Sequence, residues 1–567
     1  MFRLTIIILA FTPLIFNAQN VVAGDASSEK TEKAAEAALK TRLATEETVK
    51  PKLIVGIVVD QMRNDFIYRY WNRYSNGGFR RLVNDGFYFK NNHYNYIPTY
   101  TGPGHSSIYT GATPRAHGII ANEWYVKKSN THTYCVLDTS VRSVGSGNKN
   151  GLMSPKNQLS STIGDELKMT SNKKAKVFAV ALKDRSAVLP AGHAADGAFW
   201  FDEESGNFIS STWYMKELPE WVKKFNEKKL ARQYLEGGWS TMNYPEGYTA
   251  SISDDNNYEG VPNKKDKPVF PYYYKSYIEK NSFGIIRATP FGNSITKDIA
   301  IECIKNEQLG KDNITDLFSI SFSSTDIIAH SYGPRSVEVE DTYLRLDKDI
   351  EEILNTLDKE VGKNNYVVFL TADHGGSDVP KHLIDNKIPA GYLYETKVKK
   401  DVQGYLQSVY GDSLILKDVS NEQLFLDEKR IVNAKLNKDE IEEAIAKFLL
   451  TINGIAEAYP SKIVKYEGFP INDYRNLLQN GYNHTLSGNI CYLMNPAWMD
   501  YAEKGTTHGA AYNYDTHVPL LFYGKGIKKG FSFSYTTITQ IAPTVCELIQ
   551  INQPNATTSL PLNDFFK

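Results

Sequence analysis

The sequence predicts an α/β fold: a mostly parallel central sheet flanked by helices, with cap insertions. Three observations predict it. Dense apolar runs such as LIVGIVV and YVVFL read as strands buried on both faces, as in parallel sheets. Several of them lead directly into acids or histidines, and open α/β sheets gather their ligand-binding residues at the carboxyl ends of strands. Between these runs lie helical patterns, and two long segments break the alternation.

The elements come in order along the chain. Residues 4–16 form an apolar run behind Arg3; at about a dozen residues it is shorter than the ~20 a spanning helix needs and reads as a secretory signal. Cleavage fits after Ala18 or after Ala23, so the signal is 1–18 or extends to 23. Residues 24–49, rich in Ala, Glu, Lys and Thr, read as a solvated linker. The core opens at 51–186 with a strand over Leu53–Val59, a helix near Phe79–Asp85 and a strand over 176–182. An insertion at 187–284, dominated by aromatic, Asn and Gly residues, is expected to carry loops over the sheet edge. The core resumes over 285–387 with a helix at 296–305, a strand at 316–323, a helix at Val337–Leu357 and a strand at 365–371. A second insertion, 388–490, alternates helix-like VKKDVQGYLQSVY and KDEIEEAIAKFLL with strand-like SLILKDV and QLFLDEKRIV, a small α+β cap. The core closes over 491–567, with a strand at 518–523 and a helix at Ile541–Ile549.

The 567 residues exceed one ordinary domain. A net charge of −1 gives no electrostatic footprint for nucleic acid or an acidic membrane. No later segment is apolar enough to span a bilayer, so the mature chain carries no transmembrane segment. Cys135, Cys303, Cys491 and Cys546 are scattered; an exported location permits disulfides without demanding them.

Candidate chemistry sits just past the strands. Asp60 ends the first; Asp326 and His330 stand four apart and share a helical face; Asp373 and His374 are adjacent in ADHGG; His508 precedes a glycine. Mixed carboxylate and imidazole donors suit zinc-like divalent ions, and this many would fill two sites. Thr101, before Gly-Pro-Gly and a helix start, offers a hydroxyl where free backbone N–H groups favour a phosphate. Lys183 and Arg185, two apart after a strand, share a face if extended geometry continues, and suit phosphoryl oxygens. Asn122 could donate an amide hydrogen bond to the same group. Singly, each has a plain alternative: helix caps for Asp60, Thr101 and Asp326, a core imidazole for His330, a solvated strand end for the cations, a turn for Asn122. His105 and His117 are assigned to structure, and His517 ranks below His508 as a ligand.

The order Asp60, Thr101-Gly-Pro-Gly-His, HGI with Asn122, Lys183-x-Arg185, Asp326 with His330, ADHGG and His508-Gly resembles the alkaline phosphatase superfamily. It is most similar to the phosphate-irrepressible bacterial phosphomonoesterases that use a threonine nucleophile, over roughly 51–375 and 500–555. The resemblance implies an alkaline-phosphatase-like fold and two Zn2+ per chain. One zinc would take Asp326, His330 and His508; the other Asp60, Asp373, His374 and the Thr101 oxygen. Asn122, Lys183 and Arg185 would hold the phosphoryl oxygens. It further implies a periplasmic or secreted enzyme hydrolysing phosphate monoesters through a phosphothreonine. A nucleotide pyrophosphatase/phosphodiesterase on the same core is the nearest alternative, and Lys183 with Arg185 argues against it. A sulfatase lacks support, since Thr-Gly-Pro-Gly-His is not Cys/Ser-x-Pro-x-Arg. A non-catalytic secreted metal-binding protein would lack a ligand or the nucleophile, and neither is missing.

Overall fold

The computed structural model describes residues 50–260, 267–471 and 473–566; the expected signal and linker lie outside the described residues. The principal sheet has ten strands. In chain order they are β1 (Leu53–Val59), β2 (Phe87–Phe89), β3 (Ser143–Val144), β4 (Val177–Ala181), β5 (Gly197–Asp202), β6 (Asn207–Ser211), β7 (Asp316–Phe322), β8 (Tyr366–Thr371), β9 (Leu520–Gly524) and β10 (Gly530–Ser532). They lie side by side as β10-β2-β9-β8-β1-β7-β4-β5-β6-β3. The five central strands, β8 to β5, are mutually parallel, with antiparallel partners on either flank. All residues of β1, β7 and β8 are buried, as helices on both faces of a parallel sheet require.

The segment from 187, expected as loops over the sheet edge, instead supplies β5 and β6 to that edge. The aromatic run GAFWFD is buried throughout. A strand of that length is too short to show periodicity through the surrounding Asn- and Gly-rich sequence.

Register fixes the site. Val59 lies opposite Phe322, and Val58 opposite Thr371, so β1, β7 and β8 end level with one another. Three helices carry side chains to those strand ends: α1 (Thr101–Thr110), α2 (Asp184–Ala191) and α3 (Ser324–Tyr332).

A second hydrophobic core gathers residues between Leu393 and Tyr492. Helices Glu395–Tyr410 and Lys438–Leu449 cover an antiparallel four-stranded sheet ordered Leu416–Ser420, Gln423–Leu426, Ile490–Met494, Ile455–Pro460. The first two strands form a hairpin, and the Asn421 side-chain amide at its turn donates to the Glu123 carbonyl at 2.9 Å. All four cysteines are free and buried. Among the described residues no helix is long and apolar enough to cross a membrane.

Candidate active site

The level strand ends bring Asp60, Asp373 and His374 into one cleft, where α3 adds Asp326 and His330 and the loop after Met499 adds His508. Donor atoms of Asp60, Asp373 and His374 lie within 4.8 Å of one another, as do those of Asp326, His374 and His508. His374 belongs to both groups because its ring stacks on His508 with centroids 3.5 Å apart. His330 stands beside the second group, its Nε2 3.1 Å from Asp326 Oδ1.

Two features of the donor set fit divalent cations. Asp60 Oδ1, Asp326 Oδ1 and Asp373 Oδ2 are buried and accept no hydrogen bond, a costly state for carboxylates that lack a cation. Each histidine also directs Nδ1 to a backbone carbonyl: His330 to Thr506 at 2.7 Å, His374 to Gly375 at 2.9 Å, His508 to Thr99 at 2.7 Å. That tautomer leaves Nε2 as a bare donor facing the acids, the outer-shell arrangement typical of metal-binding imidazoles. Burial drives His374 down to about 3, and burial with the adjacent His374 holds His508 well below its ordinary value. Both are therefore neutral. Burial raises Asp60 to about 6, and burial with the Asp60 charge pushes Asp373 well up. Asp326 sits well below the usual range despite burial, because the protonated form of His330, itself raised by that carboxylate, and Lys183 favour its charge; a cation held at Nε2 would take the place of that proton.

Thr101 opens α1 with a buried side chain. Its Oγ1 is 3.5 Å from His374 Nε2 and 3.5 Å from Arg185 Nη2. The Asn122 side-chain Oδ1 accepts the Gly102 N–H at 2.7 Å; its NH2 has no partner among the described residues. Gly104 lets α1 approach, since a Cβ there would lie 2.4 Å from the Asp373 carbonyl.

Lys183 and Arg185 do not share an extended face. The strand stops at Ala181, Lys183 caps α2, and Arg185 lies within that helix; nothing in VFAVALKDR marks a strand-to-helix turn. The turn sends the two cations to different tasks. Lys183 Nζ sits between Asp60 at 2.7 Å and Asp326 at 2.6 Å, whereas Arg185 reaches Thr101. Sequence reasoning missed the residues that aim Arg185: its Nη1 donates to the Tyr134 hydroxyl at 3.0 Å, which donates to Asp184 at 2.5 Å. Tyr134 lies in no motif, but Asp184 stands between the two cations and is a readable signal.

His105, His117 and His517 pack structurally. His105 contacts the Thr101 carbonyl at 2.9 Å and Ser321 Oγ at 2.8 Å. His117 contacts Ser107 Oγ at 2.9 Å. His517 stacks on His93 and contacts the Lys90 carbonyl. Beside the cleft lies a cavity of about 410 Å³, bordered by Tyr100, Asn122 and His508 on one side and by residues of the second core on the other.

The fold and site define an α/β enzyme with a buried cluster of carboxylate and imidazole donors beside a helix-start hydroxyl. The sequence profile of the type I phosphodiesterase / nucleotide pyrophosphatase family matches residues 54–515. The chain belongs to that family, within the alkaline phosphatase superfamily. Among its relatives, the alkaline phosphatase PafA of Elizabethkingia meningoseptica is 41% identical over 91% of this chain and 94% of its own. A Myroides odoratus protein named "calcium-transporting ATPase" is 42% identical over 92% and 96%. The crystal structure of the alkaline phosphatase PafA superposes with a TM-score of 0.89 at 40% identity, covering 91% of this chain and 99% of that one.

Proposed function

We propose that the chain is a secreted, zinc-dependent alkaline phosphatase that hydrolyses phosphate monoesters through a phosphothreonine at Thr101. The observation that carries this reading is the Thr101 hydroxyl, poised at a helix start between an arginine and the donor cradle. Asp326, His330 and His508 would hold one Zn2+; Asp60, Asp373, His374 and the Thr101 oxygen would hold the other. When bound, such ions supply Lewis acidity, favouring a threonine alkoxide and offsetting charge on the departing oxygen.

The chain's own residues do the rest. Arg185 and the Asn122 NH2 bind the non-bridging phosphoryl oxygens, with the free N–H groups at the start of α1. Lys183 adds positive charge between the two carboxylate groups. Thr101 Oγ1 attacks phosphorus, the bond to the ester oxygen breaks, and the alcohol leaves. Water then attacks the phosphothreonine, releasing phosphate and restoring the hydroxyl. The protein environment acts through orientation and preset charge.

The family's description favours one second reading, a phosphodiesterase. A diester has one non-bridging oxygen fewer to pair with Arg185 and less negative charge for Lys183 to offset, so both cations favour monoesters. Comparing rates on a chromogenic monoester and its diester, with metal analysis of the purified chain, tests the choice. A diester preference would reverse it. The N-terminal apolar run and its candidate cleavage sites support secretion, which N-terminal sequencing of the mature protein checks.

A further inference from the structure

Resting on the monoesterase reading, we propose that the cavity beside Thr101 selects leaving groups bearing an alkylammonium group. Charge is the first support. Glu123, Glu395, Glu422, Asp500 and Asp515 all line it, and no lysine or arginine does among the described residues. The one basic side chain there beyond the site itself, His132, is already engaged by Asp418 at 2.8 Å and Glu123 at 3.5 Å. Chemistry is the second. The walls carry Tyr100, Tyr482, Tyr492 and Trp498, and aromatic faces attract a quaternary or alkylated ammonium.

A third observation points to a ligand independently. Tyr492 is 1% exposed and lines the cavity, yet its hydroxyl makes no hydrogen bond among the described residues. A buried tyrosine hydroxyl normally has a partner. Here it faces the chamber.

Backbone geometry is the fourth. Glu422 occupies a two-residue hairpin turn with Asn421, at φ 56° and 54°. Such turns need left-handed backbone at both positions, for which Asn-Gly is the favoured pair. Glutamate is strained there, and strain of this kind concentrates at functional sites. The turn places the Glu422 carboxylate at the cavity, and Asn421 pins it to the core. The Glu395 carboxylate accepts the Glu422 N–H at 3.2 Å, and Asp500 accepts the Glu395 N–H at 2.9 Å. The acids thus form a chain along one wall. Burial and mutual repulsion raise Glu422 to about 8 and also raise Glu395, a penalty that a bound ammonium would relieve.

The test uses phosphocholine and its uncharged carbon isostere, 3,3-dimethylbutyl phosphate, on the zinc-loaded full chain. The alcohols differ in acidity, so the number to read is the change in the kcat/KM ratio between parent and variant. Glu422→Gln removes one charge at constant shape and should lower the phosphocholine preference roughly tenfold; Glu395→Gln should lower it by a smaller factor. A ratio unchanged in both variants overturns the inference. A second measurement needs no variant: choline should inhibit hydrolysis of the neutral ester competitively and far better than 3,3-dimethylbutanol, and equal inhibition overturns the inference. Hydrolysis of the neutral ester reports on the monoesterase reading separately; no hydrolysis of either ester overturns both.

Discussion

Two acid-rich regions face each other across Tyr100 and His508, and they treat negative charge in opposite ways. On the floor, Asp60, Asp326 and Asp373 share their space with Lys183, three imidazoles and Arg185. In the roof cavity, Glu395, Glu422 and Asp500 have no fixed cation among the lining residues. Buried carboxylates without cations are expensive. The floor meets that cost with fixed cationic side chains and with donors suited to a resident cation; the roof leaves it open for a group that arrives and departs. The first arrangement suits chemistry common to every substrate, and the second suits a choice among substrates.

The largest effect that could break this contrast is metal removal. If the floor is a zinc cradle, exhaustive chelation abolishes hydrolysis and zinc restores it, with two ions per chain by elemental analysis. Full activity in demetallated protein would show that the orphaned oxygens of Asp60, Asp326 and Asp373 serve another purpose. Next comes Thr101→Ala, expected to slow monoester hydrolysis roughly a thousandfold or more. Thr101→Ser should keep appreciable activity, and metal content should change little in either variant. A trapped phosphoenzyme mapping to Ser106 or Ser107 would move the nucleophile elsewhere.

Lys183 and Arg185 sharpen the contrast because the structure separates their tasks. Losing one charge-assisted contact of about 1.5–3 kcal/mol should slow the monoester rate ten- to a hundredfold, and the diester rate much less. Arg185→Ala should do so with metal content intact. Lys183→Ala should also alter metal affinity, since its ammonium lies between Asp60 and Asp326. Identical metal binding in the two variants would contradict that division.

The floor and the roof also differ in how far the sequence reveals them. The floor carboxylates lie within a few positions of apolar strands that announce themselves, as Asp60 follows LIVGIVV and Asp373 follows YVVFLTA, whereas His508 comes from a loop. Register then does the assembly, because parallel strands ending level must bring their next residues together. The orientation of Lys183 and Arg185 is not readable, since the place where strand yields to helix carries no glycine, proline or other punctuation. The roof is less readable still. Glu395, Glu422 and Asp500 come from a helix start, a hairpin turn and the end of the two-residue strand Trp498–Met499, with more than a hundred residues between first and last, and no long apolar run announces them. One trace exists: Asn421-Glu422 between two apolar runs occupies the place of an Asn-Gly turn. The strands β5 and β6 are hidden for a related reason, each being too short for its periodicity to emerge from an Asn- and Gly-rich context.

The smallest predicted effect tests the roof without any substrate. Burial, with repulsion from Glu395, Asp500 and Asp515, raises Glu422 from 4.5 to about 8. A carboxyl whose folded value lies above its unfolded value binds its proton more tightly in the native state. The native state is then relatively favoured below about 4.5, where both states hold the proton, and loses that advantage as pH rises towards 8. Above about 8 the penalty is complete. Glu422→Gln cannot ionise and escapes it. Denaturant midpoints should therefore agree closely at pH 4.5 and diverge above pH 8, the variant becoming more stable by something on the order of 1 kcal/mol, since partial exposure screens the repulsion. The same substitution should lower the preference for phosphocholine. A variant that gains stability at high pH while losing selectivity would show the roof acids to be held for function against a cost to the fold. A gap independent of pH, or one that narrows as pH rises, would mean that Glu422 is already neutralised by a group within the protein, and the contrast between floor and roof would fail.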